Sequence, residues 1–103
     1  MTEIPKLAAK EREILDLLVA SKQELYGLQI VDRSGGRISR GSVYVLLGRM
    51  KERGLVASRV EQDAKVPGMP RQLYRATGLG LRVLRLYNRF AAEAGRLVGP
   101  ALA

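Results

Sequence analysis

Between Ser39 and Arg49 the chain gathers two guanidinium groups (Arg40, Arg49), two hydroxyls (Ser39, Ser42), a phenol (Tyr44) and two glycines (Gly41, Gly48). These groups donate hydrogen bonds and carry positive charge, but none is a strong nucleophile or a base at neutral pH. Their chemistry is recognition of an anion. A guanidinium fork bonds in two-pronged fashion to guanine or to phosphate, hydroxyls reach phosphate, and glycine lets a backbone come close. Further along, Lys65 and Arg71 flank a second basic segment.

The rest of the composition points the same way. The 103 residues contain no His, Cys or Trp, which excludes imidazole bases, thiolate nucleophiles, disulfides and zinc sites built from nitrogen and sulfur ligands. Five serines without histidine make no triad, and Gly78-Leu79-Gly80 lacks the strand and third glycine of a dinucleotide fingerprint. No enzyme activity, metal or cofactor is expected. The net charge is +8, and it is uneven: −1 over residues 1–30, +5 over 31–60 and +4 over 61–103. A basic chain of this kind selects polyanionic partners, nucleic acid before an anionic membrane or an acidic protein. The N-terminal segment has no signal-peptide pattern and no apolar run approaches a membrane span, so a cytoplasmic location is expected.

Periodicity supplies the elements that must position these groups. Leu7, Glu11, Ile14, Leu15 and Leu18 recur at helical spacing from Leu7 to Ala20, with Glu13 and Asp16 on the polar face. A short second helix is predicted from Leu25 to Asp32, ended by Ser34-Gly35-Gly36. Ser39 is an N-cap candidate for a third helix from Arg40 to Arg53, with Val43, Leu46, Leu47 and Met50 inward and Gly54 as its left-handed stop. Gly41, Val45 and Gly48 fall on the opposite side, flanked by Ser42, Tyr44 and Arg49. Tyr44 is compatible with either the core or the exposed face, and Arg49 with either a ligand or Glu52 or Glu61.

Val56 to Gln62 and Gln72 to Ala76 read as two strands of a hairpin, with Pro67-Gly68 suited to a type II turn at its tip. Thr77 then caps a last helix that runs to Val98. Leu79, Val83, Leu86, Tyr87, Phe90, Ala94 and Leu97 form one apolar face of that helix. Leu81, Leu84, Ala91, Ala92 and Gly95 form a second, assigned here to a two-fold mate. Arg82, Arg85, Arg89 and Arg96 lie between them, with Glu13 and Asp16 as candidate counter-charges.

The expected fold is mainly α with a small β-hairpin: a winged helix-turn-helix plus a long C-terminal dimerisation helix. It is expected as a single domain over 1–103, with a core over 1–76, a wing at about 56–76 and the last helix over 77–98.

The segments Leu25-Tyr26-Gly27-Leu28-Gln29-Ile30, Ser34 to Tyr44, Gly54-Leu55-Val56 and Pro70 to Thr77 resemble the PadR family of bacterial transcriptional regulators. Members usually carry Pro where Arg40 and Val45 stand here, and a base where Gly48 stands. The resemblance implies a homodimeric, sequence-specific repressor that binds a palindromic operator in double-stranded DNA, in a short form without a separate C-terminal domain. It places Ser39, Arg40, Gly41, Ser42, Tyr44, Arg49, Lys65 and Arg71 against DNA. It also admits a small aromatic effector between subunits, for which Tyr87 and Phe90 are the available rings. The competing reading is a winged-helix module for protein contact or non-specific DNA binding without ligand control.

Overall fold

The computed structural model describes residues 6–61 and 71–98. Its elements are α1 (Ala9–Ser21), β1 (Leu25–Tyr26), α2 (Gly27–Arg33), α3 (Arg40–Glu52), β2 (Val56–Glu61), β3 (Arg71–Ala76) and α4 (Gly78–Val98). One antiparallel sheet has the order β1-β3-β2. This is a winged helix-turn-helix, mainly α, with the wing built from β2 and β3.

The second helix begins two residues later than its periodicity predicts. Leu25 and Tyr26 are instead a two-residue strand, paired with Tyr74 and Leu73 of β3. A pair so short has no alternation of its own; it forms because β3 offers a free edge. The change of direction then lets Gln29 reach back, accepting the Tyr26 amide at 2.8 Å on Oε1, so α2 starts with a side-chain cap.

The other boundaries obey local chemistry. Ser39 accepts the Ser42 amide at 3.2 Å on its hydroxyl, capping α3. Gly54 takes φ +75° beyond the end of that helix, a conformation that costs glycine no side-chain clash. Thr77 binds three elements together. Its amide donates to the Leu55 carbonyl at 3.1 Å, its hydroxyl donates to the Gly54 carbonyl at 2.5 Å, and the same oxygen accepts the Gly80 amide at 3.0 Å. The start of α4 is thereby fixed to the turn that follows α3.

The core lies between α1, α2, α3 and the sheet. Ile14, Leu15, Leu25, Ile30, Ile38, Val43, Leu47, Met50 and Leu55 are fully buried in it. Burying a side chain of this size is worth about 1.5–3 kcal/mol, so the inward face of α3 is firmly held. Two polar groups share this interior. Ser34 donates its hydroxyl to the Val31 carbonyl at 2.7 Å and accepts the Ile38 amide at 3.1 Å. Glu11 receives the Arg53 guanidinium on one oxygen and the Ala8 amide at 3.0 Å on the other.

The division of α4 into two faces needs correction. Gly80 is where α4 touches the domain: a Cβ there would fall 2.1 Å from the Leu55 carbonyl oxygen. With Gly80 inward, Val83, Leu84 and Tyr87 follow at helical spacing, and the first two are buried in the home core. Leu84 is only 3% exposed and therefore is not free to meet a second subunit. The outward apolar stripe is Leu79, Leu86 and Phe90, and Phe90 is 74% exposed. Leu81 is half-buried, and Ala91 and Ala92 are exposed; the surroundings of Gly95 and the whole of Lys65 and Pro67-Gly68 lie outside the described residues.

Candidate nucleic-acid interface

The sequence of α3 divides it into two unlike sides. Val43, Leu47 and Met50 are buried, whereas Arg40, Gly41, Tyr44, Val45, Gly48 and Arg49 are exposed on the other side. Val45, a β-branched apolar residue, is 54% exposed there. Nothing lies within 4 Å of a Cβ built on Gly48, and only the Ser39 hydroxyl, at 3.9 Å, lies near one built on Gly41. Neither glycine serves packing within the protomer, although each costs the helix about 1 kcal/mol relative to alanine. The surface they leave is smooth and open.

Tyr44 belongs to this exposed side. Its ring lies across the first turn of α2, where a Cβ on Gly27 would fall 2.6 Å from Cε1 and 2.9 Å from the hydroxyl oxygen. Gly27 therefore admits the ring, and Tyr44 remains 51% exposed. The core alternative for this residue does not hold.

Charge pairing separates the arginines. Arg37 donates to Glu13, Arg53 to Glu11, and Arg59 to Glu24 at 2.8 Å with Glu61 at 3.7 Å. Arg12 donates to Asn88 Oδ1 at 2.6 Å. Among the described residues, no carboxylate lies within ion-pair distance of Arg40 or Arg49, so the alternative pairing of Arg49 with Glu52 or Glu61 is absent. Glu13, a candidate counter-charge for the arginines of α4, is engaged by Arg37 at the entrance to α3. An exposed pair of this kind contributes little to stability, roughly 0–1 kcal/mol. The three paired arginines instead fasten the segments around α3, leaving its own cations available.

On the wing, Arg71 stands at the first position of β3, register partner of Glu61. Its guanidinium carbon lies 5.2 Å from the centre of the Tyr26 ring, a cation–π arrangement. The Tyr26 hydroxyl donates to Glu61 at 3.1 Å. Tyr74 is buried, donates to Gln72 Oε1 at 2.8 Å, and its phenol is pushed above the ordinary range by burial and, after that, by nearby Tyr44. Tyr26, Tyr44 and Tyr74 thus converge from β1, α3 and β3. Sequence reasoning singled out only Tyr44. The available signal was the Tyr26-Gly27 pair: a glycine opening a helix marks a close approach.

Among the described residues no three acidic side chains gather as a metal site, and no helix is long and apolar enough to cross a membrane. The arrangement can hold an anion across α3 and the wing.

The PadR-like transcriptional regulator family model matches residues 14–86, from α1 through most of the inward-facing part of α4. The chain belongs to this family. As a PadR-like protein it is a DNA-binding transcriptional regulator. No curated protein matches it. Among solved structures it resembles a PadR family regulator from Clostridium difficile R20291, at 22% identity and TM-score 0.72, covering 89% of this chain and 98% of that one. A PadR-like regulator from Bacillus cereus is 26% identical with TM-score 0.68, covering 90% of each chain. The PcaV regulator from Streptomyces coelicolor, solved with its natural ligand, is 27% identical with TM-score 0.69 over 96% of this chain and 64% of its own. The likeness to the C. difficile structure extends the fold across nearly a whole relative.

Proposed function

We propose that this PadR-like regulator is a homodimeric, sequence-specific repressor that binds a palindromic operator in the cytoplasm. In this reading α3 enters the major groove and the wing lies on the neighbouring backbone. Arg40 and Arg49 contact bases or phosphates, Ser39, Ser42 and Tyr44 offer hydroxyls to phosphate, Gly41 and Gly48 admit the backbone closely, and Lys65 and Arg71 serve the wing. The single observation that supports it best is that Arg40 and Arg49 stand on an exposed helix face with no carboxylate in ion-pair distance among the described residues, while Arg37, Arg53 and Arg59 around that helix are ion-paired. Arg40 stands at the start of α3, where a cation meets the positive end of the helix dipole. That placement opposes stability and favours an anion.

The dimer is assigned to α4, with the exposed stripe Leu79, Leu86 and Phe90 on one flank of its inward side and Leu81, Ala91, Ala92 and Gly95 towards the other. A two-fold axis then places half-sites roughly 34 Å apart. The chain acts as one domain, 1–76 forming the DNA-binding core and 77–98 the dimerisation helix.

Selection of bound duplexes from a random pool, followed by mobility shifts, tests the reading. A palindromic consensus is expected, bound at least about 1,000-fold more tightly than random DNA. Replacement of Arg49 by Ala should relax preference at one base position at a cost of about 1–3 kcal/mol if it reads a base, or lower the salt slope by about 1 if it contacts phosphate. Equal competition by random DNA would replace this reading with non-specific binding, and no DNA binding at all with a protein-contact module.

A further inference from the structure

Among the described residues, Val45 is the one aliphatic side chain of α3 that stands exposed, where Val43, Leu47 and Met50 are buried. Leu46 beside it packs against the core, and Val45 does not. Its neighbours on the helix surface are Gly41, four residues before it, and Gly48, three after. Neither has a side chain that could cover it. The other exposed aliphatic residues sit elsewhere: Leu28 on α2, Val60 on the wing, Leu79 and Leu86 on α4. A β-branched residue is also a weaker helix former than alanine, so neither packing nor helix propensity accounts for valine at this position.

Valine has no polar atom in its side chain, and base edges in the major groove carry one apolar group, the C5-methyl of thymine. The branched side chain is held at χ1 in a helix, so both of its methyls are presented with little rotamer entropy left to lose on contact. Reach is the constraint. The methyls of valine stand two carbon–carbon bonds from Cα, much less than the guanidinium groups of Arg40 and Arg49, so Val45 touches a base edge only where the helix backbone lies deep in the groove. Gly41 and Gly48 supply that depth. Nothing lies within 4 Å of a Cβ built on Gly48, and one built on Gly41 meets only the Ser39 hydroxyl at 3.9 Å, so the helix is bare on either side of Val45. A helix with its side chains is about 10–12 Å across and the groove is about 12 Å wide, so bare positions decide how far it enters. Over an adenine or an unmethylated cytosine the same side chain would displace water from an amino group without replacing the hydrogen bond.

We infer that Val45 is a specificity-determining residue that reads the C5-methyl group of a pyrimidine: the base facing it in each half-site is thymine, and 5-methylcytosine is preferred to cytosine there. The inference rests on the reading proposed above, in which α3 enters the major groove, and adds to it a contact that is not a hydrogen bond. Arginine bonds guanine and phosphate alike, so Arg40 and Arg49 do not by themselves select a pyrimidine. Val45 does. Deoxyuridine isolates this contact, because it keeps every hydrogen-bonding group of thymidine and lacks the methyl alone.

The test uses the full chain and the palindromic duplex selected from the random pool, each thymine being replaced in turn by deoxyuridine in both half-sites and affinity read by fluorescence anisotropy. At the position facing Val45 binding should weaken about fourfold per half-site, about fifteenfold for the pair, the factor for burying one methyl-sized group. Val45→Ala, at an exposed helical position, should keep native helicity and bind the thymine and deoxyuridine duplexes equally. Arg49→Ala should weaken both duplexes and preserve their ratio. With a C·G pair at that position, the unaltered protein should bind the 5-methylcytosine duplex more tightly than the cytosine one, a preference that Val45→Ala should lose. The inference is overturned if no thymine responds to loss of its methyl, or if every response survives Val45→Ala. Either result leaves the proposed function standing where the selected duplex still outcompetes random DNA. Equal competition by random DNA, or no binding of any duplex, overturns the proposed function and this inference with it.

Discussion

Gly27 and Tyr44 fit together as socket and ring, with a glycine Cβ position only 2.6 Å from the ring carbon Cε1. The contact joins the first turn of α2 to the exposed side of α3. It holds an amphipathic side chain in one orientation at the edge of the surface assigned to DNA. Replacing Gly27 by Ala should expel the ring, which is half-exposed and can turn away. Stability should change by no more than about 1 kcal/mol, since alanine also favours the helix. Operator affinity should fall several-fold, roughly 1 kcal/mol for a displaced hydroxyl contact, as read by mobility shift alongside thermal unfolding.

Gly80 differs because the obstacle there is backbone. An alanine Cβ would lie 2.1 Å from the Leu55 carbonyl oxygen and 3.2 Å from Leu15 Cδ2. That carbonyl also accepts the Thr77 amide, so it cannot withdraw without loosening the cap of α4. Gly80→Ala should destabilise the protein by about 2–4 kcal/mol, measured by urea unfolding.

Phe90 carries the revised assignment of the dimer. Phe90→Asp should shift the sedimentation equilibrium toward monomer while preserving helicity, because the ring is 74% exposed in the protomer. Leu84→Asp should instead unfold the domain, since it places a charge in the home core. A dimer that survives Phe90→Asp would remove the stripe from consideration.

The Glu24–Arg59 pair makes a pH-dependent contribution. The Arg59 side-chain hydrogen bond holds the Glu24 carboxyl below its ordinary range. A depressed folded value means that the unfolded chain binds the proton more readily, so the contribution is present above the ordinary carboxylate range and is lost as pH falls through the depressed value. Glu24→Gln should therefore lower the unfolding midpoint slightly at neutral pH and make no difference in strong acid. The pair is solvated, so the shift should be small and should shrink further in high salt.

Removing Glu11 tests the buried end of the charge network. Glu11 is 4% exposed and serves both Arg53 and the Ala8 amide. Glu11→Leu should cost about 1–3 kcal/mol, chiefly by leaving the Ala8 amide and part of the Arg53 guanidinium without a partner. A double substitution with Arg53→Met should recover part of that loss.

Local signals in the chain were sufficient for the helices, the hairpin and their caps, because each depends on nearest neighbours along the backbone. Ser39 before a periodic run, Gly54 after it and Thr77 before the last one are examples whose hydrogen bonds and dihedral angles follow from residue type. The exposed cations of α3 were legible for the same reason, since the inward residues Val43, Leu47 and Met50 dictate which side remains. Only the tertiary structure decided the rest. Leu25 and Tyr26 became a strand because β3 lay beside them. The inward side of α4 was settled where Gly80 met the Leu55 carbonyl, as an apolar wheel with two candidate faces has no internal reason to choose. The three tyrosines, separated by 18 and 30 positions in the chain, meet through packing alone. Periodicity records which residues avoid water, but which surfaces touch is set by the shapes that close around them.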